Sequence, residues 1–169
     1  MPLTKVQIGM TDAPTSGTAV TASGTSIDFT GIPSTAKRIT VMLSGVSTSG
    51  TSPVQIQLGT GTTPTYTTSG YLGSVTTSVG SSATSNISSG FTFNSTADTA
   101  SFVRHGFLTI TNVSSNIWAG NGILGLSNEA RIIFLGGSIS LAAALTAVRI
   151  TTVNGTDTFD AGTINIMWE

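Results

Sequence analysis

The chain has no cysteine, one histidine and few charges. Without cysteine there is neither a disulfide frame nor a thiolate metal site. Charged residues make up 8% of the 169, against roughly 25% in ordinary soluble proteins. The net charge of -1 leaves no electrostatic footprint for nucleic acid or for an anionic membrane. The six basic residues are scattered, and only Lys37 and Arg38 adjoin. The opening, "MPLTKVQIGMTDAP", lacks the apolar core of a signal peptide, so no Sec-type export is expected.

Recognisable catalytic signatures are also missing. There is no phosphate-binding glycine loop, no H-E-x-x-H and no G-x-S-x-G. The lone histidine, His105 in "FVRHGFL", would need a serine within reach and an orienting carboxylate to act as a base. A strand histidine facing solvent or a neighbouring subunit is the simpler reading. Glycoside hydrolysis needs two carboxylates across a cleft, and Asp157 and Asp160 are the only close pair. Their segment, "NGTDTFDAG", is at most a weak calcium candidate through Asn154, Asp157 and Asp160. It has oxygen-bearing residues but not the dense D-x-D-x-D spacing of a dedicated loop. We therefore expect no enzymatic activity and no cofactor.

Ser, Thr, Gly and Asn fill the space that charge leaves, and mean hydropathy is +0.31. Hydroxyls and amides keep a surface wet but resist self-association poorly. Such a composition suits a protein that works in an assembly or survives outside a cell. Asn86, Asn94, Asn112 and Asn154 each begin an N-x-S/T triplet, matches that arise by chance in so Ser- and Thr-rich a chain.

The longest apolar run, "IIFLGGSISLAAALTAV", is flanked by Arg131 and Arg149. It is short for a membrane span of about 20 residues, and Gly136, Gly137, Ser138 and Ser140 interrupt it. Two buried strands joined by a turn or a crossing are expected instead.

Elsewhere the period is two. "RITVML" places Ile39, Val41 and Leu43 on one face; "VQIQL" does so with Val54, Ile56 and Leu58. "FLTIT" offers Leu108 and Ile110, and "VRITTV" offers Val148 and Ile150. The chain ends on "TINIMWE", where Ile164, Ile166 and Trp168 share a face. Further strands are expected over 25–29, 87–94, 117–126 and 131–135. Turn signals fall at Gly31 to Pro33, Ser49-Gly50, Thr63-Pro64, Ser69-Gly70, Asn121-Gly122 and Asn154-Gly155. No window carries a capped helical stripe, and 142–147 could form one short helical turn. Many short strands with regular turns predict an all-β protein, an antiparallel jelly-roll-like β-sandwich over 25–169. Residues 1–24 read as an N-terminal arm or an edge strand. Leu3, Val6 and Ile8 are its candidate attachment residues. Residues 59–89 read as long loops around a weak hairpin. Tyr66, Tyr71 and Trp118 sit among small polar residues, a mix that suits sugar recognition as well as ordinary core packing.

The stretches "TSIDFTGIPSTAKRITVMLSGVSTSGTSPVQIQLG" and "VRITTVNGTDTFDAGTINIMWE" closely resemble a module of tailed-bacteriophage virion proteins. There an IDFTGIP-x-x-x-KRI segment opens the domain and a G-x-x-TFDAG-x-INI segment ends it. The resemblance spans roughly residues 25–169. It implies a virion component of tail-fibre or tail-protein type, with no catalytic residues to transfer. Because the module fills nearly the whole chain, a shaft of repeats is not expected. A tip or receptor-binding subunit and a capsid-decorating knob are the forms that remain. The resemblance further implies a homotrimer that contacts other virion proteins of capsid or tail and is assembled in the host bacterial cytoplasm. Strand surfaces around 132–134 and 148–150 are expected to form the trimer contact. The alternative is a lectin-like adhesin that binds host surface glycan. Nucleic-acid binding and membrane insertion are not expected.

Overall fold

The computed structural model describes residues 13–78, 83–94 and 96–169. The described chain is all-β, two antiparallel sheets packed against each other. Its strands are β1 (Thr15–Ser16), β2 (Val20–Thr21), β3 (Ser26–Thr30), β4 (Arg38–Thr48), β5 (Val54–Thr60), β6 (Thr65–Tyr66) and β7 (Leu72–Ser78). They continue with β8 (Ala83–Asn86), β9 (Phe91–Thr92), β10 (Arg104–Ser114), β11 (Ile117–Leu126), β12 (Arg131–Ser140), β13 (Leu145–Thr152) and β14 (Phe159–Trp168). The large sheet runs β1-β14-β4-β10-β11-β12-β7-β8, with β2 also on β14; the small sheet runs β3-β13-β5-β6, with β9 also on β5.

Alternation explains which side each strand shows. Ile39, Val41 and Leu43 of β4 are buried, as are Leu108 and Ile110 of β10 and Ile164 and Ile166 of β14. The small sheet answers with Ile27, Phe29, Val54, Ile56, Leu58, Val148 and Ile150, and one continuous core results. Filling such an interior with β-branched and aromatic side chains removes apolar area from water at about 25 cal/mol per Å². The last strand is no frayed tail. It lies between β4 on one side and β1 and β2 on the other, so the chain terminus is stitched into the interior of the large sheet. Residues 15–21 thus belong to the sandwich as edge strands.

Four expectations need correction. Asn121 and Gly122 form no turn: both lie inside β11, with Gly122 opposite Leu108 and Leu135. A Cβ at Gly122 would meet the Phe107 carbonyl oxygen at 2.8 Å, so here glycine serves close strand packing rather than chain reversal. Residues 142–147 hold no helical turn, because β13 already begins at Leu145. Residues 87–94 are not one strand: only Phe91 and Thr92 pair, on β5. The apolar run does give two strands, β12 and β13, joined by a crossing between the sheets, but β12 is not a buried strand: one of its faces is exposed. No helix of the described residues is long and apolar enough to cross a membrane.

Candidate functional site

Two surfaces stand out, one polar and one apolar. The polar one is the outer face of the small sheet. Register places Asp28, Arg149 and Gln57 side by side across β3, β13 and β5, with Ser26, Thr151 and Gln55 in the next row. Arg149 donates from Nε and Nη2 to the two Asp28 oxygens at 2.8 and 2.7 Å, a bidentate pair. Its guanidinium carbon also stands 4.0 Å from the centroid of the Tyr66 ring. These bonds to Asp28 raise the Arg149 pKa further, against the opposing effect of burial. Beside this cluster lies a groove of about 350 Å³, lined by Gln57, Thr68, Ser89, Arg149, Thr151 and Asn154 among others. Gln55 is held there by Ser89 Oγ, which donates to its Oε1 at 2.8 Å, while Gln57 Nε2 donates to the Ser89 carbonyl. The groove offers hydroxyls, amides and one fixed cation, a chemistry suited to polyhydroxylated ligands.

The three aromatics chosen from sequence fare differently. Tyr66 borders this region, but Arg149 covers its ring face and its ring edge rests against Gly59. Its hydroxyl is shielded from water, and among the described residues no group meets full hydrogen-bond geometry with it. Burial, followed by the neighbouring Asp28 carboxylate, pushes it up to about 12 while Arg149 opposes. Tyr71 and Trp118 are core residues, 2% and 4% exposed, and cannot present a ring to a ligand. The Tyr71 hydroxyl accepts the Leu58 N–H at 2.8 Å and its ring meets Phe91 edge-on, centroids 5.2 Å apart. Tyr71 lies in the segment just before β7 and Trp118 on the inward face of β11, so the small polar residues near them in sequence said nothing of their burial.

The calcium candidates are turned toward protein donors instead. Asp157 accepts from Asn154 Nδ2 at 2.8 Å and from the Ser52 N–H at 2.9 Å; Asp160 accepts from Ser47 Oγ. Asn154 Oδ1 is engaged by Thr152, Thr156 and Asp157. The three residues therefore close a turn rather than converge on a cation, and no cluster of three acidic or histidine groups occurs among the described residues. His105 is exposed. Its Nδ1 accepts the Gly45 N–H at 3.2 Å, which leaves the proton on Nε2 to face Ser127 Oγ, also at 3.2 Å. With Nε2 donating, the ring is in the wrong tautomer to deprotonate that serine.

The apolar surface is the outer face of the large sheet. Met42, Phe107, Ile123 and Phe134 are direct partners across β4, β10, β11 and β12. The latter three are 54%, 52% and 48% exposed. Of the expected trimer contacts, Ile132 and Phe134 lie on this face, but Val148 and Ile150 are fully buried between the sheets and cannot serve. Sequence reading missed Phe107 and Ile123. The signal was present: once Leu108 and Ile110 face inward, a period of two turns Phe107 outward.

A further groove of about 810 Å³ lies where the chain ends, lined by Pro33, Lys37, Arg38, Thr111 and Trp168 among others. Glu169 pairs with Arg38 there and accepts the Lys37 and Arg38 N–H groups on its carbonyl. Ala13, the first described residue, also lines it. The attachment candidates Leu3, Val6 and Ile8 lie outside the described residues. Comparison with models of known protein families, with curated proteins and with solved structures finds no match for this chain.

Proposed function

We propose that the chain is a non-enzymatic structural protein on the surface of a bacteriophage particle, a tail-fibre, tail-tip or capsid-decoration subunit that assembles as a homotrimer. The observation that carries the reading is the part of the large sheet's outer face across β10, β11 and β12, which presents no charged side chain but exposed large apolar ones, on a chain bearing both virion-module motifs. A monomer in dilute solution gains nothing from such a face, whereas a subunit can bury it. The motifs add support, because their residues sit at joints of the fold: Ile27 and Phe29 in the core, and Phe159 to Ile166 along the strand that joins the sheet's edge to β4. The test is antibody labelling of purified particles. Label over the head makes the chain a decoration protein, label at the tail tip makes it a tail subunit, and its absence from purified particles refutes the proposal.

The polar groove favours a second reading, an adhesin for host surface glycan. It predicts that Arg149→Ala together with Thr68→Ala lowers adsorption to host cells at unchanged thermal stability. Unaltered adsorption would remove this reading and leave the structural one.

A further inference from the structure

Glutamine is mostly a surface residue, yet β5 buries Gln55 and Gln57 on its outward side. They alternate with the core residues Val54, Ile56 and Leu58, and are only 2% and 6% exposed. The chain just before β9 covers them. A Cβ at Gly90 would stand 2.8 Å from Gln55 Oε1 and 2.9 Å from the Ile56 carbonyl oxygen, so the cover passes close. Ser89 holds both side chains. Its hydroxyl donates to Gln55 Oε1 at 2.8 Å, and its carbonyl accepts from Gln57 Nε2 at 3.0 Å. Gln55 Nε2 donates in turn to the Thr152 carbonyl at 3.4 Å.

One acceptor is left over. Gln57 Oε1 has no partner among the described residues. Turning the amide over would set its oxygen against the Ser89 carbonyl, acceptor against acceptor, so the oxygen stays where it is. An acceptor withdrawn from bulk water costs free energy unless a donor meets it. Gln57 lines the groove of about 350 Å³ on this face, so the groove is where such a donor arrives.

Charge narrows what can bring it. Arg149 stands opposite Gln57 and is the one cation among the described residues lining the groove. Its Nε and Nη2 already serve the Asp28 carboxylate at 2.8 and 2.7 Å. The pair is neutral, so an anionic ligand meets Asp28 as well as Arg149. A carboxylate also offers only acceptors to Gln57 Oε1. A hydroxyl answers both groups, donating to Gln57 and accepting from Arg149 Nη1. Ser26 and Thr68 add side-chain hydroxyls with no partner among the described residues, and Val153, 46% exposed, adds apolar contact for C–H groups.

We infer that the groove binds an uncharged sugar unit through Gln57 and Arg149 and discriminates against acidic sugars. This names the ligand class for the reading of the groove as an adhesin site, and rests on that reading. The volume is at the low end for small-molecule sites, which suits one or two sugar units. Tyr66 adds no stacking face, because Arg149 covers it. Each site should then bind with a dissociation constant on the order of 1 mM, and many copies on one particle supply avidity.

The test is an NMR titration of the isotope-labelled full-length chain at constant ionic strength. The probes are the methyl glycosides of glucose, galactose, mannose and N-acetylglucosamine, with glucuronic and N-acetylneuraminic acids as the anionic pair. The Gln57 side-chain amide signals should shift with at least one neutral sugar and with neither acid. Gln57→Leu should weaken that binding by about tenfold or more. Asp28→Asn keeps an acceptor oxygen for Arg149 but frees its charge, and should raise affinity for the acids by about fivefold. The wild-type and Asp28→Asn titrations do not depend on Gln57→Leu folding. Shifts with the acids alone, or equally with acids and neutral sugars, overturn the inference and leave the adhesin reading to the adsorption test. No shift with any sugar, or an Asp28→Asn chain with unchanged preference, equally overturns it.

Discussion

The α-carbon of Gly162 lies against the backbone of Gly45, at an irregularity in the pairing of β14 with β4. Its φ is +97°, and a Cβ there would come within 2.5 Å of the Gly45 carbonyl carbon. Both the conformation and the space exclude a side chain. Gly162→Ala should therefore destabilise the protein by about 2 kcal/mol or more. The readout is a lower urea midpoint at unchanged slope. An unchanged midpoint would mean that the strand can shift without loss.

Gly162 also shows what was legible in the sequence. The alternation of β4 and β14 was visible because each strand has one wetter and one dry face, and hydrophobicity reports that difference directly; the glutamines of β5 alternate as well, although Gln55 and Gln57 are themselves buried. The sandwich follows from it. Pairing order is another matter: β14 inserts between β4 and the residues 15–21 strands, contacts more than a hundred positions apart that no local pattern encodes. Asn121-Gly122 failed as a turn signal because its glycine answers to Leu108 across the strand, not to chain reversal. Tyr71 and Trp118 failed as ligand platforms for a related reason. Composition averages both faces of a strand, while burial separates them. The polar groove was illegible because Asp28, Arg149 and Tyr66 meet only once β3, β13 and β6 share a sheet.

Asp98 and Arg104 form an ion pair with both side chains wholly buried at one end of the core. Asn94 Nδ2 and the Val54 N–H also donate to the carboxylate, and Arg104 donates to the Phe102 carbonyl at 3.1 Å. Burial nevertheless raises the Asp98 pKa against these donors. Arg104→Met would strand the carboxylate without its counter-ion and should cost about 3–5 kcal/mol at neutral pH. In that variant the native carboxyl holds its proton to higher pH than the unfolded one. Stability should then rise as pH is lowered through the raised native pKa toward the ordinary carboxyl value. Adding Asp98→Leu should recover much of the loss. A variant as stable as wild type, or one with no gain on acidification, contradicts this account.

Trp118 is buried and its indole N–H has no hydrogen-bond partner among the described residues. Size, not polarity, should thus govern its replacement. Trp118→Ala should lose about 3–5 kcal/mol through the cavity it leaves, whereas Trp118→Phe should lose less than about 1.5 kcal/mol. Thermal melts of the two variants separate the cases. A large loss in Trp118→Phe would mean that the N–H has a partner in solution.

The chain holds only two tyrosines, Tyr66 and Tyr71, and burial pushes both up to about 12 from the ordinary 10. Between those values the unfolded chain has released its phenolic protons and the folded chain has not. The unfolded state then binds fewer protons, so stability is fully present below pH 10 and falls as pH rises from 10 toward 12. Phenolate absorbance should show both groups titrating near 12 in the folded protein and near 10 in urea. Tyr71→Phe should remove one of the two steps and soften the alkaline fall. It should also lower stability at neutral pH by about 1–3 kcal/mol, because the Leu58 N–H loses its acceptor in the core. A folded-state midpoint at 10 for both groups would place the rings in water and undo the assignment of Tyr71 to the core.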